Sequence, residues 1–188
     1  LSLHARAFIG VQASGRIIVA GTSTTSNSWD PLTDTQIEVL ALTNSGSIDA
    51  GFGTAGREHF VPTAGSIPIL NDMQIDSSGR SVMVATDIAG GTFSEWVMRR
   101  SVNGGADTSF DGDSGAGNGS FQVRMGLSRQ GGSVAFGSSG EVFVAGWSNG
   151  AGDVFVTKMN SLGATDPSFG SSGSASYFTG LQGSSGPT

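Results

Sequence analysis

Residues 139–146 read SGEVFVAG, and two earlier stretches are close copies of them: SGRIIVAG at residues 14–21 and SGRSVMVA at residues 78–85. Their starting points are 64 and 61 residues apart. A second motif, G-x-x-D-x-x-F, follows each stretch, at residues 46–52, 104–110 and 163–169. Self-similarity at a nearly fixed period is typical of repeat architectures. The sequence therefore predicts three copies of one structural unit.

Each copy contains short apolar runs separated by Gly- and Ser-rich turns, a pattern typical of antiparallel strands joined tightly. Four strands are expected in each copy. They lie near residues 8–12, 17–21, 36–42 and 57–61, then 72–75, 82–86, 94–100 and 120–124, and finally 133–136, 142–145, 154–159 and 174–178. The runs at 17–20 and 142–145 are apolar throughout, which indicates strands covered on both faces. Stacked propeller blades are covered in this way.

The predicted fold is all-β, with three repeated four-stranded antiparallel sheets of the β-propeller blade type. The predicted units are residues 1–61, 62–125 and 126–180, followed by a flexible Gly- and Ser-rich linker at 181–188. Because the chain starts at Leu1, we expect a mature product or an excised domain.

Three units leave the predicted stack with two uncovered apolar sheet faces, since closed propellers typically have four to eight blades. Three solutions are open at this point. The chain can be part of a longer array, or it can form a homo-oligomer that completes a ring, for example two chains making six blades. It can also fold as a pseudo-threefold β-prism. The homo-oligomer is the preferred expectation and the prism the second.

The second motif has a mechanical interpretation. Its glycine, at positions 46, 104 and 163, can take the positive φ that a tight turn needs. Its aspartate, at 49, 107 and 166, can accept a backbone N–H two residues further on. Its phenylalanine, at 52, 110 and 169, is expected to fill the gap between sheets. These aspartates are therefore predicted to be structural and not catalytic.

Composition excludes several classes of function. The chain of 188 residues carries 9 basic and 15 acidic residues, a net charge of −6, and no basic cluster. This argues against a nucleic-acid partner and against an anionic membrane surface. No apolar run reaches the roughly 18 residues that membrane insertion as a helix requires. The absence of cysteine excludes disulfides, thiolate nucleophiles and cysteine-based zinc sites.

The combination of D-x-x-F-G with S/D-G-R/K and an apolar strand resembles the delta-60 repeat family of bacterial propeller-like repeats. The matching stretches are 49–53, 107–110 and 166–170, together with 14–16, 78–80 and 139–141. The second copy departs from the pattern at Asp111, which stands where the family has Gly, and the third at Glu141, where a basic residue is usual. The resemblance implies propeller-type blades in an exported or surface-attached bacterial protein. It implies no specific activity.

Ligand binding is expected at the loops that join the second and third strands, because these loops differ between copies at 22–35, 87–93 and 147–152. An exposed Trp can bind a sugar ring by stacking, and neighbouring Asn and Asp side chains can hydrogen-bond its hydroxyl groups. The alternative is that these aromatic residues pack between blades or at an oligomer contact. The candidate binding residues are Asn27, Trp29, Asp30, Phe93, Trp96, Trp147, Asn149 and Asp153.

Two further motif matches are weak. Residues 146–150 spell G-x-S-x-G, but no helix is expected after them, and the chain has only His4 and His59 to serve as a base. Asp111 and Asp113 resemble the start of a calcium loop but supply only two carboxylates, so an enlarged turn is expected; the alternative is a calcium site formed by Asp111, Asp113 and Asn118. We therefore expect no catalytic residues, no metal and no cofactor.

The sequence thus predicts a non-catalytic recognition or adhesion head of an exported or cell-surface bacterial protein. A glycan or a cell-surface protein is the candidate ligand. The alternative is a purely structural or oligomerising module of a fibre or of a longer propeller.

Overall fold

The computed structural model describes residues 6–24, 35–112, 119–123, 129–148 and 153–178. Regular structure in these residues is entirely β, and they include no helix that could span a membrane. The strands are β1 (Ala7–Val11), β2 (Ile17–Thr24), β3 (Thr35–Leu42), β4 (Arg57–Phe60), β5 (Ile67–Ile75), β6 (Ser81–Ala89), β7 (Thr92–Arg100), β8 (Ser120–Gln122), β9 (Arg129–Phe136), β10 (Val142–Ser148), β11 (Asp153–Met159) and β12 (Ser174–Phe178).

The strands form three antiparallel meanders, in which each strand pairs with its neighbours in the chain. Sheet 1 contains β1–β4, sheet 2 contains β5–β8 and sheet 3 contains β9–β12, although β8 has only three residues. The prediction of an all-β fold with three antiparallel sheets is confirmed.

Sheet 2 lies between the other two sheets. Its strand β5 packs against β1, β2 and β3, while β9 of sheet 3 packs against β5, β6 and β7. Side chains alternate along β6, so that Met83 and Ala85 face sheet 1 while Val82 and Val84 face sheet 3. Every residue from Ser81 to Asp87 is buried as a result. The expectation of a strand covered on both faces holds for sheet 2.

Sheets 1 and 3 each have one face against sheet 2 and one face that no described residue covers with another sheet. We call the two uncovered surfaces open faces. The open face of sheet 1 carries Ile9, Val11, Ile17, Val19, Leu40 and Leu42. The open face of sheet 3 carries Phe143, Ala145, Trp147, Val154, Val156 and Tyr177. The continuously apolar strands at 17–20 and 142–145 therefore do not have both faces covered within the described chain.

The G-x-x-D-x-x-F motif forms the predicted turn in all three copies, and its phenylalanine is buried in the first two. Its glycines have φ values of 84°, 95° and 86° in the three copies. The carboxylates of Asp49, Asp107 and Asp166 accept the backbone N–H two residues on, at 3.0, 3.1 and 3.0 Å. Phe52 and Phe110 are buried between sheets, being 1% and 0% exposed. The third phenylalanine, Phe169, is only half-buried.

Two of the predicted variable loops are shorter than expected. The segment 87–93 is mostly strand, because β6 continues to Ala89 and β7 begins at Thr92. Gly90 and Gly91 join them, both with positive φ as a type I′ hairpin turn requires. Trp147 likewise lies within β10 and not in the loop after it.

Candidate functional site: the open faces of the end sheets

The open face of sheet 3 presents a row of large exposed side chains. Trp147, Val154 and Tyr177 lie directly opposite one another on β10, β11 and β12. They are 50%, 38% and 63% exposed. Because neighbouring strands are about 4.8 Å apart, the strands bearing the two aromatic rings are about 10 Å apart. The row is therefore a flat apolar platform at the end of the sheet where β10 and β11 are joined.

The open face of sheet 1 contains a depression with a volume of about 330 Å³. Val19 and Leu40 contribute apolar lining, and Gly21 contributes no side chain to fill it. The depression is also lined by Arg6 and Glu38. The Glu38 carboxylate accepts a hydrogen bond of 2.9 Å from Arg57 Nη1, so its charge is paired. This face thus combines an apolar hollow with a carboxylate.

The motif phenylalanines link neighbouring sheets, and the open faces lack this contact. A Cβ placed on Gly104 of sheet 2 would lie 2.8 Å from the ring of Phe52, so that ring rests directly on the glycine backbone. Gly104 and Gly163 are both buried. Gly46, the equivalent glycine of sheet 1, is exposed and has nothing within 4 Å of the same position. Among the described residues, Gly46 therefore receives no ring, and one motif phenylalanine, Phe169, is only half-buried.

A second kind of link joins the sheets near these motifs. Arg16 bonds Asp49 at 2.7 Å and donates from Nη1 to the carbonyl of Val102 in sheet 2 at 2.9 Å. Arg99 bonds Asp107 at 2.8 Å and donates from Nη1 to the carbonyl of Ser161 in sheet 3 at 2.5 Å. In each case a basic side chain, held by the motif aspartate, reaches the same position of the next unit's turn.

On the open face of sheet 3, Lys158 has the position that Arg99 has in sheet 2, and it is likewise paired with the motif aspartate. Lys158 Nζ lies 2.8 Å from the Asp166 carboxylate. Lys158, together with the hydroxyl and backbone N–H of Ser168, lowers the pKa of Asp166 from 3.8 to about 2. The hydrogen bond to Asp166 in turn raises the pKa of Lys158. Lys158 is therefore a cation held by its ion pair on the open face of sheet 3.

The four predicted binding residues that the structure describes do not lie together in one site. Trp147 lies on the open face of sheet 3, whereas Asp153 pairs with Phe178 and belongs to the opposite face of β11. Trp96 packs against the core between sheets 1 and 2, and Phe93 is a half-buried strand residue. The other four, Asn27, Trp29, Asp30 and Asn149, lie outside the described residues, as does the predicted linker at 181–188.

Sequence reasoning missed Tyr177, Phe169 and Lys158 as site residues. Tyr177 is the only tyrosine in the chain and follows Trp147 across the sheet only once the strand register is known. Phe169 repeats the motif of its buried equivalents, and Lys158 stands outside both repeated motifs, so the sequence distinguishes neither. The available signal was their position in the last copy, next to the sheet face that three units cannot cover.

The described residues contain no group of three or more His, Asp or Glu side chains placed to hold a metal ion. The motif aspartates, the residues most similar to catalytic carboxylates, have both oxygens engaged by turn N–H groups and basic side chains. Their arrangement is that of a structural joint.

Comparison with known proteins gives little further information. No protein-family model matches the chain, and no curated protein matches it in sequence. One solved structure with some similarity is a glycosyl hydrolase from Bacteroides ovatus, with 13% identity and a TM-score of 0.44. The match covers 84% of this chain and 46% of that chain, so this protein spans less than half of its length. At that TM-score the likeness carries no argument about this chain.

Proposed function

We propose that this chain is a non-catalytic assembly module, whose two open sheet faces associate with further sheets of the same repeat. The observation that carries the proposal is a difference in burial between equivalent faces of the three sheets. The faces of sheets 1 and 2 that correspond to the open face of sheet 3 are buried, with Ile18, Ala20, Val82 and Val84 at most 1% exposed. In sheet 3 the same kind of face exposes two aromatic rings.

Exposed apolar area of this kind favours association. Isolated apolar residues are common on soluble proteins, whereas contiguous apolar patches mark interaction surfaces. Ile9 and Val11 on sheet 1 are 69% and 61% exposed, and Trp147 and Tyr177 on sheet 3 are similarly accessible. Covering both ends removes these residues from water, which contributes about 25 cal/mol for each Å² of apolar surface against the entropic cost of association.

The test is the mass of the chain in solution, measured by light scattering after size exclusion over a range of concentrations. We expect multimers for the unchanged chain and a shift to monomer for Ile9→Lys or Val154→Lys, since either substitution places an unpaired charge on an open face. Thr92→Lys is the matched control, because Thr92 is exposed at the end of β7 and lies on sheet 2, whose faces are both covered. A strictly monomeric unchanged chain contradicts the proposal.

A glycan-binding recognition head is the second candidate function, and the row of Trp147, Val154 and Tyr177 favours it. Aromatic rings on a flat surface can stack on the apolar faces of sugar rings. Two rings on strands about 10 Å apart fit an extended oligosaccharide better than a single sugar. The sequence favours a recognition head over an assembly module. We place assembly first because the residues that link neighbouring sheets recur on the two open faces.

Glycan binding is tested by titrating oligosaccharides while following tryptophan fluorescence. We expect Tyr177→Ala and Trp147→Ala each to weaken binding, whereas Phe93→Ala, on the covered sheet, leaves it unchanged. Equal binding by all three variants contradicts a role for the row.

The blade-type arrangement and the cellular setting belong to the same proposal. A stack in which sheet 2 is covered on both faces supports propeller-type blades over a β-prism, whose sheets surround a common axis. An exported or cell-surface bacterial protein of the delta-60 repeat kind is proposed from the motif resemblance. Detection of the protein on intact cells with a domain-specific antibody tests the location.

A further inference from the structure

We infer that the partner of the open face of sheet 3 is the open face of sheet 1 on a second copy of this chain. The inference rests on the proposed assembly function and names its partner and geometry. At each internal junction, the face of one sheet that is equivalent to the open face of sheet 3 packs on the face of the next sheet that is equivalent to the open face of sheet 1. In the part of the chain that the structure describes, these two faces are left uncovered at the ends. Three pairs of residues show that they match.

The first pair is Phe169 with Gly46. At the junction of sheets 1 and 2 the motif ring of Phe52 rests on the motif glycine Gly104. Phe110, the next motif ring, is fully buried in the core between sheets 2 and 3. Phe169 is the equivalent ring with no following sheet, and Gly46 is the equivalent glycine with open space above its backbone. Docking two copies places the Phe169 ring of one copy on the Gly46 backbone of the other.

The second pair is Lys158 with the backbone carbonyl of Asn44. The internal basic residues Arg16 and Arg99 donate to the carbonyls of Val102 and Ser161. Each of these carbonyls lies two residues before the motif glycine, and Asn44 has that position in sheet 1. Lys158, held by Asp166 as Arg99 is held by Asp107, is placed to donate to it.

The third pair is Trp147 with the depression on sheet 1. Residues 22, 86 and 147 are equivalent, since each stands six residues after 16, 80 and 141, and the first two are threonines. Thr22 accepts a hydrogen bond from the backbone N–H of Leu70, which places this position against the first strand of the next sheet. Leu70 pairs with Ala85 as Ala7 pairs with Gly21, so the corresponding residue on a second copy is Ala7, which lines the depression.

At this third contact the large side chain lies on the opposite partner from the one that carries it at the internal junctions. On the side of each sheet that faces the preceding unit, sheet 2 carries Trp96 opposite Ala85, and sheet 3 carries Phe155 opposite Gly146. Their equivalent in sheet 1 is Glu38, beside Gly21, which leaves a hollow of about 330 Å³. In the docked pair the large Trp147, which replaces a threonine, faces a hollow where sheets 2 and 3 carry an aromatic ring, and the Glu38 carboxylate offers an acceptor for its indole N–H. A close-packed interface between copies requires this match of a large side chain to a hollow.

Two chains joined in this way at both ends contain six sheets, which lies within the four to eight blades of closed propellers. The closed form is a twofold-symmetric dimer with two equal junctions.

The test uses cysteine pairs in a chain that has no cysteine of its own. Across the first junction, a Cβ on Gly10 would touch the side chain of Ile75. The equivalent positions at the proposed junction are Ala135 of one copy and Val11 of the other, both exposed. Chains carrying Val11→Cys are mixed with chains carrying Ala135→Cys and oxidised. Phe169→Ala is measured in parallel by sedimentation, with Phe93→Ala as the control.

We expect the mixed disulfide to form much faster than either homodimeric disulfide, and Phe169→Ala to raise the dissociation constant roughly tenfold or more, as truncation of a buried aromatic anchor does. Multimers whose disulfides join like positions, Val11 to Val11 or Ala135 to Ala135, overturn the head-to-tail pairing but leave the assembly function standing. A chain that stays monomeric at all concentrations overturns both.

Discussion

Phe110→Ala gives the most direct measure of how the sheets are held together. The Phe110 ring is fully buried between sheets 2 and 3. A buried phenylalanine removes about 150–250 Å² from water, which corresponds to about 4–6 kcal/mol at 25 cal/mol per Å². This is an upper bound, because the unfolded chain already buries part of that area. The guanidinium of Arg99 lies 4.4 Å from the ring centroid and adds a cation–π attraction of about 1 kcal/mol. We expect a loss of about 4 kcal/mol in unfolding free energy.

Phe169→Ala is the matched comparison, because it removes the same ring from the same motif at the open end. Its described ring contact is an edge-to-face pair with Phe143, with centroids 6.1 Å apart and planes at 79°. We expect a loss of about 1–2 kcal/mol in the monomer, from this contact and partial burial. Urea denaturation at concentrations below association measures both variants, with unchanged m-values as the control. Equal losses for the two variants would refute the view that the face of sheet 3 is open.

Three further predictions follow from the joints. Gly104→Ala should destabilise the fold by several kcal/mol more than Gly46→Ala in urea denaturation of the monomer, since both pay the positive-φ strain but only the first meets a ring. Arg99→Leu should cost about 2–3 kcal/mol, because it leaves a carboxylate and a carbonyl without their buried donor, whereas Lys158→Leu should cost far less in the monomer. The pKa of Asp166 is about 2 when folded, below its ordinary 3.8, so its stabilisation is complete above pH 4 and is lost as the pH falls toward 2. Unfolding measured from pH 5 to 2 should show this loss, and Asp166→Asn should reduce the slope.

The strand order and the motif turns could be predicted from sequence because both are local. Alternation, turn glycines and an aspartate that accepts the backbone N–H two residues further on all act within a few residues. The links from Arg16 and Arg99 to the next unit could not be predicted, because they join residues 86 and 62 positions apart. Nothing in the local pattern says whether a basic side chain turns toward its own motif or beyond it.

The candidate site was predicted only in part for a similar reason. Trp147 was identified from its residue type, but its place on an open sheet face depends on where β10 ends and on its register with β11. Asp153, six residues later, was expected beside it and belongs to the other face of the sheet. A shift of one residue in register reverses the face on which a side chain lies, and sequence patterns do not fix strand ends to that accuracy.

Each sheet is formed from one unbroken stretch of chain and packs on the sheets immediately before and after it. A protein with this organisation can change length during evolution in whole units. Duplication or deletion of a segment of about 60 residues adds or removes one junction and leaves the others intact, as expected for arrays stabilised by nearest-neighbour contacts. Selection on such a molecule then acts most strongly on the terminal units, because their outward residues determine whether the array stops, closes or continues.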